Sequence, residues 1–269
     1  METNIPGKHI LGNAVVADKA IVAGRATVGD NATVGGNAFV FGNAVVSDNA
    51  TVGGNAVVRG HAVVADKARV HGYAVVAGNA EVRGRAVVYG DAEVRGRAVV
   101  YGDAEVYGNA VVSDRAEVAG NAVVIDKAVV SGEATVSGKA EVSGKAIVSG
   151  LAVVSGNARV SGNAIVSGNA RIVGDAVILG GRWDGSEGKI LSGRWIAPGV
   201  PEKTENQTYS DAEVAAALAE LDHRSGRFGC AIGTGVFAAC GVKPGEEGPA
   251  VKTHTEAVVL WYRQITSEG

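Results

Sequence analysis

Only two cysteines occur in 269 residues, too few for a disulfide framework to hold the fold. Aromatic residues make up 5% of the chain, so a core built on large rings is excluded. Charge of one sign is not in excess either. The formal net charge is −3 and the pI about 6.0, so bulk charge gives no reason to expect a nucleic-acid partner. The opening METNIPGKHI has no basic segment followed by an apolar one, so no signal peptide is expected. No apolar run approaches the length of a membrane span. A soluble cytoplasmic protein is the default expectation, with export by another route or a phage particle left open.

Small residues fill the space left by these absences. There are 40 glycines, and the hydrophobic 46% is mostly Val and Ala. They are arranged with a period of six. Ala recurs at every sixth position from Ala14 to Ala176, 28 times without a miss. Val or Ile follows each Ala by two residues, and Gly or Asp follows that by two more. The unit is A-x-V-x-[GD]-x, with no insertion or deletion. In A-x-V the first and third residues point to one side and the second to the other. The next three positions make a turn. Gly adopts positive φ there freely, and Asp does so better than most residues. Identical strands every six residues predict a solenoid with parallel stacked rungs, its interior filled by Ala and Val.

This pattern resembles the hexapeptide-repeat, left-handed parallel β-helix family, in which an aliphatic residue is followed four positions later by a small one. Val16–Ala20 and Val22–Ala26 show that offset, and it holds across residues 11–180. The resemblance implies a triangular coil of three hexads and a left-handed course, which is exceptional among parallel crossovers. It also implies trimers packed by their prism faces, and acyl or acetyl transfer with a His general base. One departure is visible: Gly or Asp lies two residues after the aliphatic one, where the family often has Gly one after it. The expected fold is an all-β solenoid of about nine triangular coils, with a small α+β C-terminal appendage. The expected organisation is a lead-in at 1–10, the β-helix at 11–180, a cap and linker at 181–209 and the appendage at 210–269.

If 18 residues make a coil, the outward residues between Ala and Val fall into three columns. The first reads Ile21, Phe39, Val57, Val75, Glu93, Val111, Val129, Ile147, Ile165 and is apolar but for Glu93. The second, from Val15, and the third, from Thr27, mix apolar and charged residues. The apolar column is the candidate subunit interface, with a homo-oligomer, by resemblance a trimer, as the expected partner. Two alternatives stand beside it: the C-terminal segment folds back over this face, or Val simply suits strands. Stacking by 18 also sets His71, Tyr89, Tyr107 and Ile125 in one column, Arg83 next to Tyr101, Arg85 beside Asp103 and Arg115 beside Glu133.

No catalytic, cofactor or metal residue is assigned. The repeats hold two histidines, His61 and His71, ten residues apart and in different column types, which is not a metal-ligand set. No excursion interrupts the hexads to shape a donor cleft. After Gly180–Gly181, "GRWDG" and "SGRW" place Trp183 and Trp195 as candidate caps for the open prism end, a ligand platform being the alternative. Residues 211–223 read as a short amphipathic helix opened by a capping box from Ser210 to Glu213. Cys230, Cys240, His223 and His254 lie in the same appendage, where buried inert thiols and a Cys–His nucleophile are both compatible with the sequence. The appendage is a possible site for a protein partner. The expected function is a scaffolding rod. The alternatives are an acyltransferase-like enzyme with a site at a subunit boundary or in the appendage, and a phage or cell-surface spike.

Overall fold

The structure is a computed structural model that describes residues 9–198 and the backbone of 200–201. Every hexad folds alike. Its outward residue and the following Val or Ile form a two-residue strand, as in Val63–Val64 and Arg69–Val70. Strands 18 residues apart pair in parallel, with Val63 opposite Glu81 and Val64 opposite Val82. Three sheets result, named here by their first columns. The Thr27 face runs from His9–Ile10 to Lys189–Ile190. The Val15 face runs from Val15–Val16 to Arg194–Ala197, and the Ile21 face from Ile21–Val22 to Arg182–Trp183. The described residues contain no helix.

The interior is Ala and Val alone over most of its length. From Ala26 to Val166 these core positions have no exposed surface. Each buried Val contributes on the order of 1.5–3 kcal/mol, repeated coil after coil. At the base, Ala14, Val16 and Ala20 are only partly buried because no described coil lies beneath them.

The corners explain the Gly and Asp. Asp18, Asp30, Asp48, Asp66, Asp114 and Asp126 all have φ between 58 and 64°. The corner glycines share that conformation, Gly102 with φ 75°. A Cβ on Gly102 would lie 2.9 Å from the carbonyl oxygen of Gly120, one coil on. The close approach comes from a hydrogen bond beside it, in which Asp103 N–H donates to Gly120 O at 2.7 Å. Asp does more than tolerate the geometry. Gly84 N–H donates to Asp66 Oδ2 at 2.9 Å, and Asp66 N–H donates to Asp48 Oδ2 at 3.2 Å. Each such carboxylate reaches one coil up and satisfies a corner amide.

The stack is longer than the nine coils of the hexads. Pairing begins at His9–Ile10 on the Thr27 face, and the Ile21 face gains a tenth strand, Arg182–Trp183, after Gly181. Arg182–Trp183 pairs with Ile165–Val166, and Arg194–Trp195 with Val177–Ile178. These last steps span 17 residues instead of 18, a coil shortened by one residue.

Candidate functional site

The apolar column lies on the outside of the Ile21 face, in the register expected. Ile21 pairs with Phe39, Val75 with Glu93, and Ile147 with Ile165. Phe39 is 43% and Ile147 36% exposed, and the remaining members are half-buried. Phe41 lies two residues along the same strand direction and is 38% exposed, widening the patch at this end. Glu93, the one charge among the nine hexad rungs, lies 3.9 Å from Arg95 Nε, and Arg182 follows Ile165 as a charged tenth rung. The second outward position of this face is small in most rungs, with Ala23, Ala77 and then Ser113, Ser131, Ser149 and Ser167.

The Val15 face carries a stack of rings. His71 and Tyr89 lie 5.2 Å apart with planes 13° apart, and Tyr89 and Tyr107 lie 4.6 Å apart at 12°. Rungs of a parallel sheet are about 4.8 Å apart, so side chains on one column stack without bending the backbone. Burial, aided by the Arg69 guanidinium, pushes the His71 pKa below its ordinary value. Burial also raises the Tyr89 phenol, with Tyr107 and Glu105 adding to it.

Ion pairs link neighbouring coils at the corners. Arg115 Nη1 lies 2.9 Å from Glu133 Oε1, and Arg85 Nε 3.7 Å from Asp103 Oδ1. Both were expected from the spacing of 18. Arg83 differs. It pairs with Glu81 on its own strand at 2.8 Å, while Tyr101 donates its hydroxyl to Glu117 Oε1 at 2.7 Å. That hydrogen bond is the main reason the Tyr101 pKa is raised. The 16-residue offset between these two was not anticipated. Its only signal in the sequence is that one outward position lies diagonally below another.

The two histidines are not brought together. His61 sits at a corner with Nε2 3.4 Å from Asn43 Nδ2, and His71 is in the ring stack. Trp183 takes the place of the inward Val in the last coil of its face and is 1% exposed, its indole N–H donating to Gly180 O at 2.8 Å. Trp195 packs against the core more loosely, and the two rings meet edge to face at 6.2 Å. Full-length indoles fit here because no Ala–Val rung follows directly above Trp183 on its face. The appendage helix, Cys230, Cys240, His223 and His254 lie outside the described residues.

A continuous three-sided stack with a small-residue core and no helix among the described residues defines a parallel β-solenoid. Two stretches, residues 38–54 and 152–168, match a family model described as the YdcK beta solenoid repeat. Each stretch is one residue short of a full coil and spans three strands, so the similarity follows the structural unit. No curated protein matches the chain.

Proposed function

We propose that this chain is a scaffolding rod that associates with copies of itself through the Ile21 face and displays its C-terminal segment as an interaction module. The observation that carries the reading is the length of the outward apolar column. Eight of its ten rungs are apolar, Glu93 and Arg182 being the charged ones, and Phe39 and Ile147 are exposed. A monomer that kept such a stripe in water would be unusual. The uninterrupted hexads favour a rod over an enzyme, because no coil opens to frame a cleft. Sedimentation velocity at micromolar concentration tests it. The wild-type protein should sediment as an oligomer. Ile147→Glu and Val111→Glu should each yield monomers with unchanged β circular dichroism. A wild-type protein that stays monomeric throughout would overturn the reading.

A further inference from the structure

We propose that Tyr89 and Tyr107 form an oxidative modification site, at which a haem peroxidase with hydrogen peroxide joins the two rings into a dityrosine that staples adjacent coils. The two side chains leave the Val15 face from consecutive rungs, where Val88 pairs with Val106. Their ring centroids lie 4.6 Å apart, with planes 12° from parallel. This matches the rung spacing of about 4.8 Å, so the backbone itself sets the rings side by side. Tyr89 N–H donates to Val106 O at 3.0 Å directly beside them. The Tyr89 hydroxyl is also hydrogen-bonded to that of Tyr107.

Each of these phenols has one phenol for a neighbour. The other face of Tyr89 is covered by the His71 ring at 5.2 Å. The rung after Tyr107 carries Ile125. Tyr101 stands in its column between Arg83 and Ala119, and Tyr73 between Asn55 and Asp91, so neither has a second phenol on the next coil. Tyr89 and Tyr107 are half-buried on an outward column, which leaves their ring edges open to an oxidant.

The chemistry balances as follows. The oxidant takes one electron and one proton from each phenol, and hydrogen peroxide is reduced to two waters. Each unpaired electron is shared between the oxygen and the ring carbons ortho to it. One Cε of Tyr89 and one Cε of Tyr107 then form a carbon–carbon bond. The hydrogen on each bonded Cε moves to its own oxygen, which restores both phenols and leaves the chain two hydrogens lighter. Fixed proximity favours this pair over any collision between chains. The product is a covalent bond across two coils that backbone hydrogen bonds otherwise tie together.

Peroxidase treatment of the full chain, followed by mass spectrometry, tests the site. Wild type should gain the fluorescence of a biphenol while keeping the mass of one chain less two hydrogens. Trypsin cuts after Arg95 and Arg97, between the two rings, so Tyr89 and Tyr107 should be recovered in one joined pair of peptides. The yield of that pair per chain should not change on dilution. Tyr107→Phe keeps a ring in the stack and should melt as wild type does, yet lower the fluorescence at least about tenfold. Tyr73→Phe combined with Tyr101→Phe should leave it unchanged. Oxidised wild type should unfold at higher urea than oxidised Tyr107→Phe, because the bond restricts the unfolded chain. An oxidised wild type without the joined pair, a yield that falls with dilution, or fluorescence that survives Tyr107→Phe overturns the site. Equal urea midpoints overturn its role as a staple.

Discussion

At a corner, one side chain does two things. Asp66 holds φ at 62° and also presents Oδ2 to the Gly84 amide. The two contributions separate by substitution. Asp66→Ala keeps the left-handed backbone without the acceptor and should cost about 2 kcal/mol. Asp66→Gly relaxes the backbone and loses only the hydrogen bond, so its cost should stay under about 1 kcal/mol. Urea midpoints of the two variants decide; equal losses would mean the carboxylate carries no separate share. His71 gives a second measurement at this scale. Its pKa is lowered in the folded state, by burial first and Arg69 second. The unfolded chain therefore takes up the proton first, and His71 withdraws stability as the pH falls through about 6.5. An NMR titration should place its midpoint below the unperturbed value. Arg69→Ala should raise that midpoint only part of the way back, because burial remains.

The element is the hexad, and its tolerance is set by what lies above and below. Ala98 is fully buried. Ala98→Leu adds three carbons where adjacent coils already place Ala, and should destabilise by about 1–3 kcal/mol. A thermal melt unchanged from wild type would show that the prism can widen. Most of this element was legible in the sequence because its period is short and unbroken. Strand, corner and column all follow from A-x-V-x-[GD]-x, and the stacks of His71, Tyr89 and Tyr107 follow from adding 18. What was not legible depends on where side chains lean. Arg83 turns to Glu81 and Tyr101 reaches diagonally to Glu117, choices that rungs alone do not specify. The upward reach of the corner Asp carboxylates was hidden too, since positive φ already accounted for Asp there. Beyond Gly181 the period is lost, and Trp183 stands where Val had been. Nothing periodic in "GRWDG" marks it as a further rung.

Across the whole molecule, the lattice separates folding from surface. RGRAVVYGDAEV occurs at residues 83–94 and again at 95–106, a copy of two hexads. Deleting 95–106 leaves every Ala, Val and corner in phase, so the shortened chain should fold. It also carries every later column round by one face. The Ile21 column would continue through Val123, Glu141 and Arg159, and self-association should be lost. Deleting the full coil 113–130 keeps the columns aligned, and association should survive. Circular dichroism and sedimentation of the two deletions check both halves. Association after the twelve-residue deletion would place the interface elsewhere.

The bonds between coils lie along the rod. Val63 N–H donates to Ala80 O at 2.9 Å and Lys67 N–H to Gly84 O at 2.8 Å, and every coil is tied to the next in this way. A force applied to the two ends therefore opens one coil at a time and not the whole core at once. Each release frees 18 residues, about 63 Å of chain, in exchange for one rung of about 4.8 Å. Pulled in an optical trap, the molecule should lengthen in even steps of about 58 Å. It would then act as a ratcheted tether, giving way under load in units and holding between them.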